Sequence, residues 1–581
     1  MAYFKIDKGL IKFHDVYKVR RKIQEVGGVF RADESVWVLA FTIENLEFVI
    51  DEIPNLFVPD GIDELVINQQ KKERKLTELK KAAKDNIEIR LKIPGLKAIL
   101  YPYQKMGVMY SLVSGSGMLI ADEMGLGKSF QALALALMLK HQGRAKSALL
   151  VTPASLKFNW PLEIEKFTDE KYVVIDGTPE QRIAQWLRKD VFFYVVNYEL
   201  LLEDLFGGKE PKEKDDETSE QRVRREKRQS KIAKRERILS PLRDKVWDFI
   251  SVDEIHNIKN PGSKRSKNIK SLKGDFRIGL SGTPLDGKLE ELHSVMEFIM
   301  PGLLGSRTRF LQKHAVTNWS GDVVSYKNIN EVSEKIAPFF IRRLKKNVLK
   351  DLPDKIYENR IIELSPAERK IYNDIKKKRH EITEDAEAMV LTIRCKQFLD
   401  SPELIEEEGE SSKLESFKEV IQEVVIENMH KVIIFSQYKK MTDILVRVLE
   451  EMGLKCLYIH GEVPKAKRAQ MQEQFNTDDS IDCIIGTEAM STGLNFIGGD
   501  IVINYDDNWA PAIMRQREDR AHRIGQKNTV TVINFICRDT IEERIRERLY
   551  EKEIVSNEVL GDGLDEYVLK RLGPKDILGL L

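Results

Sequence analysis

The sequence predicts an α/β fold: two tandem parallel-sheet lobes with helical insertions, preceded by a small α+β domain. Between residues 95 and 300, the short apolar runs GMLIAD, SALLVTP, KYVVIDG, FFYVVNY, DFISVDE and FRIGLSG alternate with helical segments. A second series starts near residue 430 with KVIIFSQY, KCLYIHG, IDCIIGT, DIVINYD and TVINFI. Runs rich in Val, Ile and Leu, separated by helices, mark strands covered on both faces, as in a parallel sheet. The first 60 residues follow another pattern. VYKVRRKIQEVG has helical spacing, and GGVFRADESVWVLAF reads as two short strands around a polar turn.

These patterns divide the chain of 581 residues. Residues 1–60 form the small domain and 61–94 a charged helical linker, carried by QQKKERKLTELKKAAKDN. Residues 95–300 form the first lobe, and 301–410 a helical segment between lobes. Residues 411–550 form the second lobe, and 551–581 a helical extension. The first lobe carries an insertion, residues 207–240, that is mostly charged and nearly free of large apolar groups. Such a segment buries too little surface to offset its ordering entropy. Two readings stand: a solvated insertion, or a basic half (residues 222–237) that touches nucleic-acid phosphates.

Composition narrows the class. A hydrophobic fraction of 42% supports real cores, and 32% charged residues sum to a net charge of only +1. A balanced sum does not exclude nucleic acid, because binding depends on local patches. The cysteines Cys395, Cys456, Cys483 and Cys537 are scattered, without a Cys-x-x-Cys pair. That argues against structural zinc and suits a reducing compartment. The start, MAYFKIDKGLIKFHD, lacks a signal-peptide core. No apolar run approaches the roughly 20 residues that span a bilayer. The expectation is an intracellular protein, neither secreted nor membrane-bound.

The chemistry begins with ADEMGLGKSFQ, residues 121–131. It follows an apolar strand and precedes a strong helix former, the context of a phosphate-binding loop. Gly125 and Gly127 would allow close backbone approach, Lys128 would neutralise β- and γ-phosphates, and Ser129 would hold Mg2+. Asp122 stands where the usual loop has its first glycine, so the match alone is incomplete. Next, DFISVDEIHN ends a strand in Asp253 and Glu254, with His256 following. Functional groups gather at the carboxyl ends of parallel strands. One carboxylate there can bind Mg2+ and its neighbour can orient the attacking water. Ser281 and Thr283, in LSGTP, close the next strand and suggest coupling between the ATP site and a nucleic-acid track. In RQREDRAHRIGQ, Arg520 and Arg523 are three apart and would share a face if helical. Arginines presented this way suit a γ-phosphate.

Together, LYPYQ, DEMGLGK, DEIHNIKN, LSGTP, STGLNF and DRAHRIGQ resemble, in order and spacing, the motifs of Swi/Snf-type ATPases of helicase superfamily 2. RRLKKNVLKDLPDK, ELSPAERKIY and TIEERI extend the resemblance over about residues 95–550. It implies RecA-like lobes, and a phosphate loop in which Asp122 is ordinary. It implies ATP and Mg2+, with Gln104 recognising adenine, Lys128 and Ser129 holding phosphates and metal, and Asp253 and Glu254 binding metal and activating water. Gln516, Arg520 and Arg523 would complete the site. Ile255 and Arg517 depart from the family's usual small residue and alanine. The N-terminal stretch VRRKIQEVGGVFRADESVWVLAF resembles a HARP-type module, found with ATPases that reanneal DNA and remodel forks. Lys18, Arg20, Arg21 and Lys22 would meet phosphates and Trp37 would stack on bases; alternatively Trp37 and Phe30 fill a small core. The expected function is an ATP-driven translocase, acting as a monomer on double-stranded or forked DNA through backbone phosphates. The alternatives are removal of proteins from DNA, an RNA-directed motor and a non-catalytic DNA-binding scaffold.

Overall fold

The computed structural model describes residues 3–7, 10–14, 16, 20–25, 28–31, 36–53, 62–84, 91–154, 156–206, 238–239, 241–282, 288–318, 323–349, 352–377, 385–490, 493–523 and 525–547. Almost all of the charged insertion, Lys18, Thr283, Ser491, Thr492 and the extension 551–581 lie outside the described residues. The chain divides into two compact units. One is Met1–Glu123 with Gly127–Leu344; the other is Lys345–Leu581, with which Met124–Leu126 is grouped.

The first unit opens with an antiparallel sheet of β1 (Tyr3–Asp7), β2 (Leu10–His14), β3 (Val29–Arg31) and β4 (Val36–Ala40), in the order β1-β2-β4-β3. The β3–β4 pair is the one that the sequence indicates. The β1–β2 hairpin adds to it and supplies Phe4, Ile11 and Phe13 to a core shared with Ile23, Leu39, Leu46 and Val49. Thr42 caps the helix Ile43–Glu52, its hydroxyl accepting from the Asn45 amide at 3.1 Å. The charged stretch that follows forms one helix, Ile62–Lys84.

The main sheet of this unit holds β5 (Gly117–Ile120), β6 (Ala148–Thr152), β7 (Tyr172–Val174), β8 (Phe193–Asn197), β9 (Val246–Asp253) and β10 (Lys273–Leu280). A small hairpin, β11 (Ala315–Thr317) and β12 (Val323–Tyr326), follows. Then β13 (Phe340–Ile341) returns to the sheet. The order is β13-β5-β10-β9-β6-β8-β7, parallel throughout. β5, β6 and β8 are buried at every position, as strands covered on both faces must be.

The second unit has its own parallel sheet: β14 (Lys355–Ile362), β15 (Val432–Phe435), β16 (Cys456–Ile459), β17 (Cys483–Gly486), β18 (Ile501–Asn504) and β19 (Val530–Cys537), in the order β14-β19-β18-β15-β17-β16. Together the two parallel sheets and their helices form tandem RecA-like lobes. The stretch 301–410 is shared between units. β13 completes the first sheet, whereas β14 and the helices Pro366–Lys377 and Asp385–Asp400 enter the second core through Tyr372, Ile375, Leu391 and Phe398. β14 carries KIYENRII, polar on much of both faces, as its edge position permits. Among the described residues no helix is long and apolar enough to cross a membrane.

Candidate functional site

The site of the first unit starts where β5 gives way to the helix Lys128–His141. Gly125 and Gly127 take φ values of 84° and 71°, the left-handed region open to glycine. Gly127 is the helix N-cap, and a Cβ there would fall 2.5 Å from Nε2 of Gln104. The close approach therefore needs the glycine. The amides of the first turn and the helix dipole favour an anion at this end. The helix holds because FQALALALML is a run of good helix formers buried along nearly its whole length. Lys128 arches over the loop, its ammonium donating to the carbonyls of Asp122 at 2.8 Å and Glu123 at 3.4 Å. Ser129 is half-buried beside it.

Gln104 lies in the first turn of the helix Pro102–Ser114 and is buried. Its Oε1 accepts from the Tyr101 amide at 3.0 Å, which fixes the side chain against the phosphate loop.

Asp253 ends β9. Its Oδ2 accepts from the indole N–H of Trp160 at 3.0 Å and its Oδ1 from the amide of Glu254 at 2.9 Å, while the Tyr198 hydroxyl donates to its carbonyl at 2.7 Å. Burial pushes this carboxyl up to about 7, and the charge of Glu254 adds to the rise; the Trp160 hydrogen bond and the charge of Lys128 oppose it. Glu254 has φ 47°, uncommon for a residue with a Cβ and typical of functional turns. Its Oε2 lies 3.3 Å from Nδ1 of His256, and the same nitrogen lies 3.3 Å from Oγ of Ser281. The register of β9 and β10 sets this up, since Asp253 pairs with Leu280 and Ser281 follows directly. The carboxyl ends of these neighbouring strands thus bring Asp253, Glu254, His256 and Ser281 together.

The second unit corrects one expectation. Arg520 and Arg523 do not share a helix face: the helix Pro511–Glu518 ends at the cap Asp519, and both arginines follow in turns. Tertiary partners hold this exit. Asp519 is buried against Lys345 at 2.7 Å, and Lys355 pairs with Glu518 at 2.9 Å. Arg520 donates to the carbonyls of Leu494 at 2.9 Å and Gln516 at 3.0 Å, and Arg523 donates to Oδ1 of Asn495. Gln516 is half-buried on the helix. Arg517 is fully buried, donating to the Asp506 carbonyl at 2.8 Å and, through Nε, to Glu488 at 3.1 Å.

Sequence reasoning missed Trp160, Gln131 and Arg343 at the first site. NWPLE offers no motif for the first, and the partners of the other two are distant in sequence.

The residues fit a nucleoside triphosphate: a glycine cradle at a helix N-terminus, a lysine over it and a buried carboxylate at the next-but-one strand end. Among the described residues no group of three or more His, Cys, Asp and Glu side chains forms a metal cage. Magnesium at such a site takes one carboxylate, a hydroxyl and the phosphates themselves, and Asp253 and Ser129 are the groups of this chain that would serve it.

Fold and site thus define a P-loop protein with paired RecA-like lobes. The chain belongs to the SNF2-related family: the SNF2-related domain model matches residues 101–432, and the helicase conserved C-terminal domain matches residues 412–525. It is 31% identical over 508 residues to "Putative ATP-dependent helicase/translocase YwqA" of Bacillus subtilis (strain 168), covering 84% of this chain and 51% of that protein. It is 26% identical over 610 residues to TATA-binding protein-associated factor 172 of Homo sapiens, covering 90% of this chain and 31% of that protein. The chain therefore spans about half the length, or less, of these relatives. A solved Sulfolobus solfataricus SWI2/SNF2 ATPase core in complex with dsDNA is 29% identical, with a TM-score of 0.39, over 80% of this chain and 95% of that one.

Proposed function

We propose that this chain is an ATP-driven translocase on double-stranded DNA. The observation that carries the reading is the placement of Lys128, Asp253 and Glu254 around one phosphate loop, in a chain of the SNF2-related family whose relatives bear ATP-dependent helicase names. Gln104 recognises the base, the loop amides and Lys128 hold the phosphates, and Asp253 with Ser129 serves Mg2+. Glu254 orients and deprotonates the attacking water, with His256, held against Ser281, 3.3 Å from its carboxylate. Mg2+ held there would neutralise phosphate charge. The part of Arg520 and Arg523 in hydrolysis is a separate proposal, read from the turnover of Arg523→Ala at saturating ATP.

The N-terminal domain supports a finer reading, a preference for forks or bubbles that are reannealed. Phe30 is 50% exposed beside Trp37, their rings 5.6 Å apart, and Arg20 and Arg21 are exposed on the neighbouring helix. An aromatic pair beside basic residues suits bases and phosphates.

The test is the steady-state ATPase rate of wild type and Lys128→Ala, alone and with single-stranded DNA, duplex, fork and duplex RNA. Stimulation by duplex or fork that is lost in the variant supports the translocase, and a fork excess that disappears without residues 1–60 supports the N-terminal role. Stimulation by RNA alone points to an RNA motor; no turnover with any ligand points to a scaffold.

A further inference from the structure

We infer that Arg343 is a positioning residue for nucleotide: one guanidinium holds the phosphate loop and the base-recognising helix in register through Asp122. The inference rests on the ATP reading above. Asp122, in the position of the usual first glycine, is fully buried. Arg343 grips its carboxylate as a fork, Nε donating to Oδ1 at 2.8 Å and a terminal nitrogen donating to Oδ2. Gln131, one turn into the helix Lys128–His141, donates to the same Oδ2 at 2.9 Å and accepts from Arg343 at 2.7 Å. The other terminal nitrogen of Arg343 donates to the carbonyl of Tyr103, the residue before Gln104.

The backbone runs the same way. The amide of Ala121 donates to Ile341 at 2.7 Å and that of Glu123 to Arg343 at 2.9 Å, so the loop extends the β5–β13 pairing past both strands. Gly107 gives independent support. It sits inside the helix Pro102–Ser114, where glycine is a poor choice. A Cβ there would clash with Oε1 of Gln131 and fall 2.8 Å from the Arg343 guanidinium. The glycine leaves the slot through which Arg343 and Gln131 meet.

A glycine at position 122 would leave this half-buried guanidinium without its carboxylate, and a lysine at 343 cannot make the planar fork. The network therefore sets two distances at once: loop to phosphate, and Gln104 to base. Its loss moves both affinity and base preference, whereas general loosening weakens all nucleotides alike.

The experiment is calorimetric titration of ATP and of GTP, with Mg2+, into the full chain and its Arg343→Ala, Arg343→Lys, Gly107→Ala and Lys128→Ala variants. For Arg343→Lys and Gly107→Ala we expect ATP affinity to fall about tenfold and the preference for ATP over GTP to fall by about as much, the scale of one charge-assisted hydrogen-bond group. Arg343→Ala should fall further, and if it does not fold, Arg343→Lys and Gly107→Ala carry the test. Wild-type affinity and preference in the folded variants overturns the inference, as does an equal loss for both nucleotides. If wild type binds ATP and Lys128→Ala does not, while the Arg343 variants bind as wild type does, only this inference falls. If wild type binds no nucleotide, the ATP reading falls with it.

Discussion

Trp160 donates its indole N–H to Oδ2 of Asp253 at 3.0 Å, and both side chains are buried. The tryptophan comes from the helix Asn159–Phe167, which follows β6, the strand beside β9. A carboxylate that serves a metal must present one oxygen at a fixed angle, and the indole occupies the other. Groups that orient a metal-binding carboxylate typically shift metal affinity or activity by about 10–100-fold when removed. Trp160→Phe keeps most of the packing and removes the donor. The Mg2+ concentration for half-maximal ATPase is expected to rise by about tenfold or more, with Lys128-dependent ATP binding retained. An unchanged Mg2+ requirement would show that the bond does not orient the metal site.

Lys128 and Glu254 separate binding from chemistry. On the proposed function the ammonium of Lys128 would face the phosphates in ground and transition state alike, so Lys128→Ala should lose ATP affinity and turnover together while DNA affinity is largely spared. Glu254→Gln keeps the size and the hydrogen-bonding reach toward His256 but not the basicity. Its turnover should fall by roughly 10²–10⁴, with ATP affinity within a fewfold of wild type. Single-turnover hydrolysis beside equilibrium ATP binding reads both. Glu254→Gln turning over at the wild-type rate would remove the proposed base.

The parts of this site that were legible in the sequence are those fixed by local chemistry. GLGK must be a tight loop because its glycines sit at φ values near 70–85°. VDE must close a strand because five consecutive buried residues precede Glu254. What was not legible depends on distant partners. Arg343 lies 221 residues from Asp122, and no local pattern announces the fork. The helix that carries Gln516 stops at Glu518 because the buried Lys345–Asp519 pair holds its cap, although the local sequence would allow another turn. β14 escaped because an edge strand need not be apolar on both faces.

Arg517, which departs from the family's common alanine, is a support of the second unit. Its guanidinium is fully buried 3.6 Å from the equally buried Asp506 carboxylate, and also donates to the Asp506 carbonyl and to Glu488; burial disfavours the Asp506 charge and Arg517 favours it. Truncating one partner of a buried pair leaves the rest uncompensated, at a cost of about 3–5 kcal/mol. Arg517→Ala should therefore lower the unfolding free energy of the second unit by that order, read as a fall in its denaturant midpoint at unchanged m, and hydrogen exchange should report faster opening around β15 and β18. A midpoint equal to wild type would mean that the carboxylates find other donors.

His293 gives the first unit a pH dependence of stability. It lies on the helix Leu289–Ile299, with Nε2 2.8 Å from the Gly305 carbonyl and its ring 4.9 Å from that of Phe310. The hydrogen bond requires the proton on Nε2, so the neutral ring donates. Burial pulls this imidazole from its ordinary value near 6.5 down to about 4; Lys270 and Arg307 add to the fall and the Gly305 carbonyl opposes it. A folded value below the unfolded one means that the unfolded chain takes up the proton first. The contribution is fully present above pH 6.5 and is lost as pH falls toward 4. The difference corresponds to on the order of 3 kcal/mol when fully expressed. Urea midpoints of the first unit measured between pH 7.5 and about 4.5 should fall in wild type. The fall should be markedly smaller in His293→Gln, which keeps a donor for Gly305 and has no proton to gain. Parallel pH profiles for the two proteins would assign the acid sensitivity to other groups.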